Sequence, residues 1–198
     1  MKKYAALLLV CLLLAASIGC MQLRMEAPTD TPVPPAENAE PTTQPEGAAP
    51  AEVPEAGAYQ GPQFSAESLT GETVDETYIQ ENRLTMLNFW ATWCGPCVAE
   101  MPDLAELHKN YAEKGFSILG VMVDADTEAA LSLIEEFEVG YPILPLSGDL
   151  VEMAGGFRYV PTTVFFDSSG AQVGEIQIGS MNYAEWSALV DELLEGVS

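Results

Sequence analysis

The sequence predicts an α/β fold, a central mixed β-sheet flanked by helices. Three observations carry that prediction. Two short apolar runs, Leu84–Trp90 (LTMLNFW) and Phe116–Val123 (FSILGVMV), have the length and composition of buried strands. Between and after them lie stretches whose apolar residues recur at helical spacing. Two further strand-like runs, Thr162–Phe166 and Gln172–Ile178, flank the turn Asp167-Ser168-Ser169-Gly170, which predicts an antiparallel pair beside the alternating part.

The first twenty residues stand apart from the fold. Lys2 and Lys3 precede an apolar run of fourteen residues, Ala5 to Ile18, which is short for a membrane span and typical of an export leader. It ends Ser17-Ile18-Gly19-Cys20, which resembles a bacterial lipobox, although Ser17 stands where Leu is commoner. That resemblance implies lipidation of Cys20 and a lipoprotein anchored on the outer side of the cell membrane. A plain signal peptide or an uncleaved anchor helix are the alternatives, and each exports the domain. Cys11 would leave with the leader. Residues 21–58 hold eight of the fourteen prolines and no aromatic residue. Such a segment buries too little apolar area to offset the entropy of ordering. It predicts an extended tether that, at ~3 Å per residue, reaches up to ~100 Å.

From Tyr59 to Ser198 the composition becomes that of a folded domain. Phe64 to Val74, with Gly71 in the middle, suggests a hairpin. Leu84–Trp90 is the first buried strand. Pro96 to Lys114 places Val98, Met101, Leu104, Leu107 and Tyr111 at helical spacing, with Gly115 as the stop. The second strand comes next, then a helix capped by Asp126 or Thr127 and running to Val139 before Gly140. Tyr141 to Leu146 carries two prolines and reads as an edge strand. Asp149 to Ala154 predicts a short helix closed by Gly155-Gly156. After the hairpin, Asn182 caps a last helix with Trp186, Leu189, Val190 and Leu193 on one face.

Charge narrows the partners. Seven Lys and Arg against thirty Asp and Glu give a formal charge of -23. That balance argues against nucleic acid, whose recognition needs clustered cations, and against lying flat on an anionic bilayer. A charged, solvated surface accounts for most of the acidity. Asp124, Asp126 and Asp167 read as caps and turns, because no calcium-loop spacing is present.

Residues 90–97 read WATWCGPC, and three readings compete for Cys94 and Cys97. Zinc needs about four ligands, yet the single histidine, His108, sits on a predicted helix and reads as exposed. Haem attachment needs His after the second cysteine, where Val98 stands. A structural bridge suits an exported protein, but a two-residue gap closes almost no loop and constrains the unfolded chain little. Reversible exchange fits better. Cys94 would follow a buried strand and precede a helix, where free N–H groups and the helix dipole favour the attacking thiolate. Pro96 fits the first turn, which needs no N–H there. Cys97, deeper in the helix, would then be the resolving thiol.

WCGPC between NFWAT and VAEMP, with Val160-Pro161-Thr162-Thr163 some sixty residues on, resembles the thioredoxin superfamily. The leading hairpin, the Glu100-Met101-Pro102 triplet and the long segment 124–156 resemble its TlpA/ResA-like thiol–disulfide oxidoreductases. The likeness covers roughly residues 62–196. It implies a thioredoxin-like fold with an N-terminal β-hairpin extension and a central αβ insertion. It implies that Pro161 is the cis-proline, placing the Val160 backbone beside the cysteines to pair with a client strand. It also implies a proton acceptor. Thioredoxins have a buried Asp on the strand before the motif, but Asn88 stands there. Glu100, three residues after Cys97, is then the base or acid–base tuner, against the alternative of a solvated helix glutamate. Trp93, Gly95, Pro96, Val160 and Pro161 become the client-facing residues, with Trp90 and Trp93 as packing and a hydrophobic collar.

Together these readings predict an exported, membrane-anchored protein-disulfide reductase that needs no bound cofactor. The resemblance suggests exported thiol proteins, apocytochrome c among them, as clients, and a membrane electron donor of the CcdA/DsbD kind. A disulfide-forming oxidant, a non-catalytic client-binding module and a peroxidase are the competing functions.

Overall fold

In the computed structural model, residues 59–197 are described. The expected leader, the expected tether and Cys20 lie outside them. The elements run β1 (Ser65–Glu67), β2 (Thr73–Asp75), α1 (Thr77–Gln80), β3 (Leu84–Trp90), α2 (Gly95–Tyr111), β4 (Phe116–Met122), α3 (Thr127–Glu136), β5 (Ile143–Pro145), α4 (Asp149–Gly156), β6 (Thr162–Asp167), β7 (Gln172–Ile178) and α5 (Tyr183–Gly196). Five strands form one sheet in the order β5-β4-β3-β6-β7, while β1 and β2 make a separate hairpin. β3 pairs parallel with β4 and antiparallel with β6, so the sheet is mixed as expected.

Every residue of β3 and β4 is buried, which explains their lack of polar alternation: both faces of the sheet are covered. Leu84, Met86 and Trp90 face α2 and α5, packing with Leu104, Leu107, Trp186 and Val190. Leu87 and Phe89 point the other way, into a second core with Phe64, Leu150 and Met153 from the hairpin and α4. The period-2 geometry of one strand thus feeds two cores. It also sends Asn88 to the α2 side.

The helix ends follow local chemistry. Asp126 Oδ1 accepts from the Ala129 N–H at 3.1 Å and starts α3. Asn182 and Glu185 form a reciprocal capping box at α5. After α2, a 3₁₀ turn over Ala112–Lys114 ends at left-handed Gly115, φ 81°. Four expectations are corrected. A short helix, α1, comes after the hairpin. α4 runs on through both glycines to Gly156. His108 is half-buried rather than exposed, its ring edge-on to Tyr141 at 5.7 Å, and burial lowers its pKa. α3 stops before Val139, because Glu138 takes a left-handed conformation (φ 51°) and Val139 N–H bonds the Ile134 carbonyl at 3.0 Å. That is a Schellman ending, with glutamate where glycine is usual.

Both described chain ends lie at the same pole. Gln60 bridges Ala171, and Gln172 N–H bonds the Tyr59 carbonyl at 3.4 Å, beside the β6–β7 turn. Arg83 donates to the carbonyls of Leu194 (3.0 Å) and Val197 (2.8 Å) just ahead of β3. The register pairs Leu84 with Asp167 at this pole and Phe89 with Thr162 at the other.

Candidate active site

The opposite pole is built where β3 stops. Trp90 is buried, and after it the chain makes a tight turn in which Cys94 N–H bonds the Ala91 carbonyl at 3.1 Å. Asp124, just past β4, pins this turn: its carboxylate accepts from the Thr92 N–H at 3.3 Å and from the Thr92 hydroxyl. Asp124 is therefore neither a helix cap nor part of a simple turn, but a tie across two loops. Cys94 is the N-cap of α2, with extended backbone and its Sγ accepting from the Cys97 N–H at 3.3 Å. Negative charge on that sulfur is favoured by a helix N–H and by the helix dipole. Gly95 and Pro96 occupy the first helical positions, both exposed.

Cys94 and Cys97 are joined in a disulfide, with Cα atoms 5.3 Å apart. Both residues are largely buried, Cys97 at 1 % exposure and Cys94 at 5 %. The Val160–Pro161 peptide bond is cis. It leads into β6, so the antiparallel β3–β6 pairing delivers it to the end of the sheet where Cys94 stands. Cys94 Sγ lies 3.5 Å from the Val160 carbonyl oxygen. Trp93 is 72 % exposed at the mouth, whereas Trp90 belongs to the core.

Glu100 sits one helical turn below Cys97 on α2 and is 2 % exposed. It is not a solvated surface glutamate. Its Oε1 accepts from Asn88 Nδ2 at 3.1 Å and its Oε2 from the Met181 N–H at 3.3 Å. Burial pushes its carboxyl up from the ordinary 4.5 to about 7, more than these two donors pull it down, and the Asp103 charge adds to the rise. The Trp186 indole faces the same carboxyl and its dipole favours the charged form, although Nε1 makes no hydrogen bond of normal geometry. Burial, and the nearby Glu100 charge, raise the Tyr141 phenol above its usual range.

Asn88 cannot titrate, so its place in the sequence suggests no part in proton transfer. Its amide links Glu100 to Thr163 Oγ1, also at 3.1 Å, so α2, β3 and β6 are joined by one buried polar chain. The visible signal was a polar residue inside an apolar strand. Met181, which supplies the second donor, had no sequence signal. Among the described residues no group of three or more His, Cys, Asp or Glu side chains is placed to hold a metal.

This geometry matches known proteins. A family model described as Redoxin matches residues 55–189. The chain is similar to the thiol-disulfide oxidoreductase ResA of Oceanobacillus iheyensis, 34 % identical over 124 residues, 61 % of this chain and 64 % of that protein. It is similar to ResA of Halalkalibacterium halodurans, 30 % identical over 132 residues, 67 % of this chain and 72 % of that protein. It therefore spans a little under two thirds of the Oceanobacillus relative's length. A solved thiol:disulfide interchange protein of the thioredoxin family from Chlorobium tepidum superposes with a TM-score of 0.62 at 26 % identity, over 68 % of this chain and 95 % of that one. With a family model covering most of the domain, a bonded Cys-Gly-Pro-Cys pair at a helix N-cap and a cis-proline against it, the chain belongs to the Redoxin family, among the ResA-like thiol–disulfide oxidoreductases of thioredoxin fold.

Proposed function

We propose that the protein reduces disulfides of exported proteins outside the cytoplasm, by dithiol exchange through Cys94 and Cys97. One observation carries the reading: Cys94 Sγ sits at the N-cap of α2, bonded to Cys97 and 3.5 Å from the Val160 carbonyl. A client strand lying along Val160 brings its own disulfide to that sulfur.

The cycle starts from the dithiol. The Cys94 thiolate attacks one sulfur of the client disulfide. That S–S bond breaks, a Cys94–client bond forms, and the released client sulfur takes a proton from water. Cys97 then gives its proton to the Glu100 carboxylate and attacks Cys94 Sγ. The mixed disulfide breaks, the second client sulfur leaves as a thiolate and takes a proton from water, the Cys94–Cys97 bond closes, and Glu100 returns its proton to solvent. Two electrons pass from the protein to the client. A dithiol donor reverses the exchange and restores both thiols, with no bound cofactor. Glu100, with a carboxyl at about 7, changes protonation in the range where the resolving step needs it to. Trp93, Gly95, Pro96 and Pro161 line the approach.

The setting completes the reading. The Lys2–Gly19 leader and Cys20 support export and lipid anchoring, with residues 21–58 as spacer. The relatives' names support thiol–disulfide exchange, and the resemblance read from the sequence suggests exported thiol proteins, apocytochrome c included, as clients and a membrane dithiol donor of the CcdA/DsbD kind. Gly95-Pro96 favours the reducing direction, since thioredoxins with that pair have potentials near ~-270 mV. Equilibrating residues 59–198 against dithiol buffers tests it. A value near that of thioredoxin is expected, and one near ~-120 mV, the range of strong oxidants, reverses the direction.

A further inference from the structure

The reactive pole holds a second feature, on the face of the sheet opposite Glu100. A cavity of about 390 Å³ opens between α4 and the segment leading to the cis-proline, floored by Phe89 and Phe157 and reaching Trp93 and Val160 at the edge of the redox pair. Its size is that of pockets that hold a small ligand, so it accommodates one large apolar side chain. Exposed apolar residues gather at this pole. Of the five large ones among the described residues, Trp93 (72 %), Tyr159 (67 %) and Val151 (51 %) line the cavity. Ile178 (51 %) stands opposite Thr162, beside the cis-proline. Only Leu131 lies on another element, α3.

Charge at the rim is distinctive. Residues 59–197 contain four Lys and Arg: Arg83, Lys109, Lys114 and Arg158. Arg83 is engaged with backbone carbonyls at the far pole, Lys114 pairs with Asp191, and Lys109 lies in the last turn of α2. Arg158 lines the cavity, is exposed, and makes no ion pair among the described residues. No acid among the described residues lies within ion-pair distance of it. In a strongly acidic domain the one uncommitted cation at the reactive pole stands over an apolar cavity.

We propose that this cavity selects clients: it takes an extended polypeptide segment with a large apolar side chain next to its reactive cysteine and a carboxylate beyond, received by Arg158. The inference rests on the exchange reaction proposed above and adds substrate class to it. The apolar residue supplies most of the selectivity, because burying a large apolar side chain outweighs a solvent-exposed ion pair at the rim.

The test uses four symmetrical peptide disulfides, with Leu or Gly beside the cysteine and Glu or Lys two residues on. Second-order rate constants with the pre-reduced protein are divided by those with dithiothreitol, which removes differences in intrinsic reactivity. Leu over Gly by about tenfold is expected. Glu over Lys by about threefold at low salt is expected, shrinking in 0.5 M salt. Arg158→Glu should invert the Glu/Lys order. Gly155→Leu should erase the Leu preference, since Gly155 lines the cavity and a Cβ there meets nothing within 4 Å. Equal normalised rates for all four peptides, or a Lys preference that Arg158→Glu leaves unchanged, would overturn the proposal while leaving the exchange reaction standing. No exchange with any peptide would instead overturn the exchange reaction, and this proposal with it.

Discussion

Replacing Glu100 by Gln isolates the buried carboxyl. In the native state its proton is held up to about 7, against the ordinary 4.5 it regains on unfolding. Between those values the native state binds more protons than the unfolded one. Stability from this group is therefore fully present below pH 4.5 and falls as pH rises through about 7. The span is worth about 3 kcal/mol, at ~1.4 kcal/mol per pH unit. Many carboxylates titrate in the same range, so the measurement is a difference: urea denaturation of the oxidised wild type and Glu100→Gln at matched pH values from 4 to 8. The variant keeps an acceptor for Asn88 Nδ2 but turns an NH₂ toward the Met181 N–H, a pH-independent penalty of roughly 1–3 kcal/mol. The stability of the variant relative to wild type should thus rise by about 3 kcal/mol across the window. In rapid-quench experiments the Cys97 resolving step should slow by about 100-fold at pH 8 and lose its inflection near 7. A pH-independent stability difference would show that Glu100 carries no perturbed proton. Parallel kinetic profiles would remove it as the acceptor.

Three further outcomes can be checked separately. Cys97→Ser should accumulate a mixed disulfide between Cys94 and a client peptide, seen by intact mass, while Cys94→Ser should form none; equal adducts would erase the division of roles, and an adduct on Cys94→Ser alone would reverse it. Asn182→Ala removes the capping box of α5 and should cost about 1 kcal/mol in denaturant midpoint experiments, with the dependence on denaturant unchanged. Glu138→Gly should stabilise the domain by about 1 kcal/mol, because the residue already holds a left-handed conformation that a side chain disfavours; destabilisation would mean that its side chain contributes more than its backbone costs.

How much of the molecule could be read from the sequence depends on how local each cause is. β3, α2 and the Asn182 cap were legible because an apolar run, a Gly-Pro start and a capping box act within a few residues. The antiparallel pair was legible from Asp167, whose Oδ1 accepts from the Ser169 and Ala171 N–H groups and closes the turn. Glu100 could be suspected from its spacing, but its burial depends on Met181, 81 positions away, folding over the same helix. The Thr92–Asp124 tie spans 32 positions and looks in the sequence like two unrelated polar residues. The expected α3 is too long because Gly140 is the stronger stop signal, while the chain turns at Glu138. The exposure of His108 is hidden in the sequence for a related reason: it is decided by where Tyr141 packs.

Both described ends of the domain gather beside the β6–β7 turn and the start of β3, a full strand length from the sulfurs. Held by its N-terminal side on a bead, a sensor chip or a bilayer, this domain would turn its chemistry outward. Immobilised through the amino end, it should work at the rate of the free domain.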